Sequence, residues 1–140
     1  MSLAKDLDIY QAARDLLTFG LEIQAHISRA YRATLGAPIG HECMQIVLRI
    51  TKANKARDAS RAEHIAKLQE HLESVTVLLR SAFDLKQIGN KAWARSIELT
   101  DSVSKQAAGW LKKTAGDLTP EDSSQGQQPG LFSQPAAPAA

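Results

Sequence analysis

The chain contains a single cysteine, Cys43, which excludes an internal disulfide and fits a reducing cytosol. Aromatic residues supply only 5% of it against 44% apolar residues, so a core must be filled by Leu, Ile, Val and Ala. No run approaches the roughly 20 uninterrupted apolar residues of a membrane span. The N-terminal residues 1–6 also lack the apolar centre of a signal peptide. These absences predict a cytoplasmic protein. The eight glycines are dispersed, leaving no glycine-rich loop to cradle phosphate, and four of the five prolines follow Thr119. What precedes that point is almost free of helix breakers.

A length of 140 residues permits one domain around one core. Gly36-Ala37-Pro38, Asp58-Ala59-Ser60 and Gly89-Asn90 divide residues 1–116 into four segments. The first, about 8–34, carries Tyr10, Ala13, Leu17, Gly20, Ile27 and Tyr31 at the spacing of a helix face. Asp6 or Asp8 can cap its start, and Gly36 stands where a left-handed stop is expected. The second, about 39–55, follows Pro38 and aligns Cys43, Ile46, Val47 and Ile50. The third, about 60–88, has a heptad-like seam of Ile65, Leu68, Leu72, Val75, Leu79 and Ala82. Ser60 and Glu63 read as its capping box and Gly89 as its stop. The fourth, about 91–114, turns Trp93, Ile97, Val103, Ala107, Trp110 and Leu111 inward. Long helices joined by short turns predict an all-α, antiparallel up-down-up-down four-helix bundle. Residues 117–140, dominated by Pro, Gly, Ser, Gln and Ala with a lone Leu131-Phe132 pair, are expected to be a disordered tail.

Some apolar residues exceed what one core needs. Ile9, Leu16, Ile23 and Ala30 form a second row on the first segment, with Phe19 and Leu21 further round. Val77, Leu78, Phe83 and Leu85 add to the third. A stripe wider than about 100° predicts a second contact surface, and hence a homo-oligomer.

Constellations for catalysis are missing. No two histidines lie four apart, and His64 and His71 are seven apart, about 10 Å along a helix and too far to share a metal. His41, Glu42 and Cys43 are adjacent and diverge by about 100° each on a helix. His26 and His71 lack the surroundings of a phosphorelay histidine, and Glu70 and Glu73 read as a solvated face. No catalytic residue, metal or cofactor is expected.

Charge is more informative. All 17 Lys and Arg lie at or before Lys113, whereas Asp117, Glu121 and Asp122 lie beyond it, so residues 1–116 carry five more cations than acids. Lys91, Lys105 and Lys112 share a heptad register on the fourth segment, Arg95 lies one turn after Lys91, and Glu98 interrupts the stripe. Arg49, Lys52, Lys55, Arg57 and Arg61 cluster around the end of the second segment. Part of that cluster complements a helix C-terminal dipole. With few aromatics to stack on bases, such a surface would read phosphate backbone and shape.

Four phrases in order carry a resemblance: Tyr31-Arg32-Ala33-Thr34-Leu35-Gly36; Lys52-Ala53-Asn54-Lys55-Ala56-Arg57; Leu78-Leu79-Arg80 running to Asp84-Leu85-Lys86-Gln87-Ile88; and Ser104-Lys105-Gln106-Ala107-Ala108-Gly109-Trp110-Leu111-Lys112. Over about residues 8–113 the chain resembles the accessory variability proteins of diversity-generating retroelements, whose relatives are encoded by intervening sequences in 23S ribosomal RNA genes. The resemblance implies a barrel-shaped homopentamer with a basic surface for RNA or DNA. It also implies a reverse transcriptase as partner in mutagenic copying of a template RNA, and no catalytic site. Arg80 matches a basic position of the family, and Lys105 stands where the family often has arginine. The competing expectation is a helical protein–protein adaptor that uses its spare apolar rows and does not touch nucleic acid.

Overall fold

The computed structural model describes residues 7–116; the expected tail and the capping candidate Asp6 lie outside the described residues. Four helices, α1 (Asp8–His26), α2 (Ala37–Lys55), α3 (Asp58–Asp84) and α4 (Asn90–Gly116), account for most of them, and no strand occurs among them. Each helix packs on the next and α1 closes against α4, giving the predicted bundle. The α2–α3 turn and the outer ends of α1 and α4 form what we term the near end. The connectors 27–36 and 85–89 form the far end.

The seam of α3 is buried as its heptad spacing predicts: Ile65, Leu68, Val75 and Ala82 are sealed from solvent, with Leu72 and Leu79 nearly so. α2 faces it with Ile39, Cys43, Ile46, Ile50 and Ala53. Each buried Leu, Ile or Val among them contributes about 1.5–3 kcal/mol by leaving water. Two polar links fix the register of this pair. His71 Nδ1 lies 2.8 Å from Glu42 Oε1, and Arg49 Nη1 lies 3.1 Å from His64 Nδ1. Arginine can only donate, so His64 accepts at Nδ1. The partners are seven residues apart on both helices, so each histidine has its own place on α2. His41, by contrast, is exposed while Cys43 is buried in the core.

Four local expectations need correction. The first helix does not run to Thr34: Ile27 and Ser28 are extended, Ile27 is buried at 1% exposure, and the Ser28 N–H donates to Gln87 Oε1 at 2.9 Å. A 3₁₀ turn, Arg29–Tyr31, and a π turn, Arg32–Gly36, then lead straight into α2. Gly36 is right-handed there (φ −60°) and stops nothing. Secondly, Ile9, Leu16 and Ile23 are core rather than surplus.

Thirdly, α3 begins at Asp58 without a side-chain cap, so Ser60 and Glu63 form no capping box. It ends not at Gly89 but through Lys86, whose φ is 61°. The Gln87 N–H reaches Ala82 O (2.8 Å) and the Lys86 N–H reaches Phe83 O (3.0 Å), a Schellman closure with lysine in the position glycine usually takes. Finally, α4 presents Ser96, Leu99, Val103, Ala107 and Thr114 to the core, leaving Ile97 49% exposed. Ile97 lies one residue, about 100°, off that face. Trp93 is half-buried and stacks on Phe83 at 5.1 Å.

Gly20 lets α1 approach α2 closely, because a Cβ there would stand 2.7 Å from Cys43 Sγ. Burial, with the neighbouring Glu42 carboxylate, pushes the Cys43 thiol up to about 12. Almost no thiolate exists near neutral pH, so Cys43 is a packing group and not a nucleophile.

Two stability measurements check these assignments. Gly20→Ala is expected to destabilise by about 1–3 kcal/mol through overpacking, yet to stabilise in a Cys43→Ala background, where only its helix propensity gain of about 1 kcal/mol remains. Lys86→Gly is expected to stabilise by about 1 kcal/mol by relieving the left-handed backbone. Urea unfolding of the variants reads both, and a Lys86→Gly protein less stable than the parent would contradict the second.

Candidate nucleic-acid interface

The antiparallel topology sorts the charges by height along the bundle. Lys52, Lys55, Arg57, Arg61, Lys112 and Lys113 gather at the near end, against Asp8, Asp58 and Glu63. Around the waist acids exceed cations: Asp15, Glu22, Glu42, Glu70, Glu73, Glu98 and Asp101 against Arg14, Arg49, Lys67 and Lys105. Arg29, Arg32, Arg80, Lys86, Lys91 and Arg95 mark the far end, where Asp84 pairs with Arg80 and Glu98, at the edge of the waist, pairs with Arg95.

The residues singled out from sequence divide between the two ends and the waist. Lys52, Lys55, Arg57, Arg61 and Lys112 come together at the near end, whereas Arg80, Lys91 and Arg95 lie at the far end. Lys91 and Lys112 are separated by about 30 Å of helix. Between them Lys105 is held by Asp101 at 3.0 Å, and Arg95 by Glu98 at 3.2 Å. Arg80 pairs with Asp84 at 3.2 Å and lies 5.7 Å over the Trp93 ring. These pairs are exposed, so each contributes at most about 1 kcal/mol and is screened by salt. They compete only weakly with an incoming phosphate. Arg49 is different: it is half-buried against His64, and its buried Nε has no partner.

Arg61 is committed to the fold. Its Nε donates to Ala53 O at 2.9 Å and its Nη2 to Asn54 O at 3.3 Å, satisfying carbonyls at the end of α2. Its guanidinium also lies 5.9 Å over the Trp110 ring, so one side chain joins α2, α3 and α4. Trp110, half-buried, lines a shallow pocket of about 280 Å³ with Leu7, Asp8, Ile9, Gln106 and Lys113. Around this anchor Lys52, Lys55, Arg57, Lys112 and Lys113 are exposed and form no ion pair among the described residues. They are free to meet an external anion. Lys113, which adjoins Lys112, and Arg29, Arg32 and Lys86 are further exposed cations at the two ends that heptad spacing and clustering along the chain do not single out.

No group of three metal-ligating side chains occurs among the described residues. No helix there is long and apolar enough to cross a membrane. Among the described residues the geometry offers two cationic ends.

A family model described as bAvd-like matches residues 7–114, which takes in α1, α2, α3 and all but the last two residues of α4. No curated protein matches the chain.

Arg61→Lys is expected to destabilise by about 1–3 kcal/mol, because a lysine cannot reproduce both carbonyl contacts and the ring contact. Lys52→Gln and Lys55→Gln should each stay within about 0.5 kcal/mol of the parent. Equal costs at the three positions in thermal unfolding would show that Arg61 is no anchor.

Proposed function

The chain belongs to the bAvd-like family, and from that premise we propose that it is a non-catalytic accessory protein of a diversity-generating retroelement. In this reading it binds the reverse transcriptase and its template RNA or complementary DNA, in support of mutagenic retrohoming. The family match over residues 7–114 is the observation that carries it. The physical means is the near end, where Lys52, Lys55, Arg57, Lys112 and Lys113 surround the Arg61–Trp110 anchor. Without a stacking platform among them, these cations favour phosphate backbone over base identity.

Self-association, as a homopentamer, belongs to the same reading. Leu21, Met44 and Leu48 are 47%, 41% and 42% exposed on the α1/α2 face. Val77 (62%) and Ile97 (49%) flank a groove of about 670 Å³ between α3 and α4. Because the helices pack in chain order, these two apolar faces lie on opposite sides of the bundle. Joining one face to the opposite face of the next copy is a heterologous contact, and heterologous contacts close into rings when the rotation allows.

The test uses the purified full chain, its mass fixed by light scattering, with a fluorescein-labelled structured RNA at about 50 and 200 mM salt. Several phosphate contacts should lower affinity about 10³-fold or more across that range. The Lys52→Glu/Lys55→Glu/Lys112→Glu variant should lose binding while keeping its helicity, and the parent should co-purify with the retroelement's reverse transcriptase. An oligomer that binds no RNA at the lower salt would instead support a helical protein–protein adaptor.

A further inference from the structure

We propose that the far end of the bundle is a second phosphate-backbone contact surface, so that one chain engages two separated stretches of nucleic acid. This rests on the nucleic-acid reading given above and extends it to residues that reading does not use.

Two cations at this end stand where folding alone disfavours them. Lys86 occupies the left-handed position that closes α3 (φ 61°), a place where glycine carries no steric penalty. Lys91 lies in the first turn of α4, which contains no acid. A cation there opposes the helix dipole instead of complementing it. Dipole complementarity could account for a lysine after the C-terminus of α3; it cannot account for Lys91. Backbone strain and an unfavourable charge, both kept at one exposed end of the bundle, point to a use for the charges.

The fold also holds this surface together. The Ser28 N–H to Gln87 Oε1 bond, at 2.9 Å, joins the α1–α2 connector to the α3–α4 connector. It brings Arg29 and Arg32 to the same end as Lys86 and Lys91, all four exposed. The acids that reach this end, Asp84 and Glu98, are already taken by Arg80 and Arg95, each at 3.2 Å. Trp93 is stacked on Phe83 and Tyr31 packs partly against the core, so the surface offers exposed cations more than open rings, which suits a phosphate backbone better than an unstacked base. The acidic waist separates it from the near end over a helix about 40 Å long. A single backbone segment lying along the bundle would have to cross that acidic belt, whereas two segments, one at each end, would not.

The experiment compares three proteins by anisotropy with a fluorescein-labelled RNA hairpin, across a salt series from about 50 to 200 mM. They are the parent, a far-end variant (Arg29→Gln/Lys86→Gly/Lys91→Glu) and a near-end variant (Lys52→Gln/Lys55→Gln). The far-end variant should bind at least about tenfold more weakly at the lowest salt, with its log–log salt slope reduced by about 1 per lost contact. Its melting temperature should equal or exceed the parent's, since Lys86→Gly relieves strain and Lys91→Glu complements the dipole, so unfolding cannot explain the loss. If only the near-end variant loses affinity, the far-end surface is overturned and the nucleic-acid reading stands. A parent that binds no RNA removes both.

Discussion

The antiparallel pairing of α2 with α3 sets the heights of everything else in the bundle. Its apolar part, the α3 seam against Ile39, Cys43, Ile46, Ile50 and Ala53, supplies the burial. Apolar side chains alone tolerate a slip of one heptad, because the seam repeats every seven residues. The two polar links do not. Glu42 must meet His71 and Arg49 must meet His64, and a slip would set two histidines against the wrong partners or against none. With that register fixed, Lys52 and Lys55 arrive beside Arg61 and the carbonyls it satisfies. The same register carries α3 past the end of α1, so that the 27–36 connector must fill the remaining height.

This division of labour explains what could be read from the sequence. The α3 seam was legible residue by residue, since heptad spacing on a long helix has one structural solution. Four helices and their order followed from the breakers. The end of α1 was not legible, because Ile27 and Ser28 carry no breaker signature; what turns the chain there is burial of Ile27 and a hydrogen bond to Gln87, far away in sequence. Lys86 was hidden for a related reason. Glycine was the expected stop, and Gly89 three residues on drew the assignment. On α4, Ile97 outranked Ser96 by hydrophobicity, yet the stack of Trp93 on Phe83 and the run Leu99, Val103, Ala107 fix the rotation that buries the serine.

The candidate interface shows the same limit in another form. Counting charges along the chain revealed a basic surplus, but its distribution is a property of topology. Residues as distant as Lys52 and Lys112 become neighbours in height, while Lys91 and Lys112, in one register on one helix, belong to opposite ends. Exposure and commitment then divide the cations further. Arg61 and Arg49 are part of the fold, Arg80, Arg95 and Lys105 hold weak surface pairs, and the lysines at the ends are unencumbered.

The two tryptophans sit at opposite ends of the molecule, each beneath an arginine: Trp93 under Arg80 and Trp110 under Arg61. About 25 Å of helix separates them. The chain thus carries a native fluorophore at each end, one cushioned by a phenylalanine ring and the other bordering a shallow pocket. Their emission should differ in colour and in sensitivity to nearby charge. Replacing either tryptophan by phenylalanine leaves a protein that reports on one end alone, so occupancy of the two ends becomes separable by light without attaching a dye.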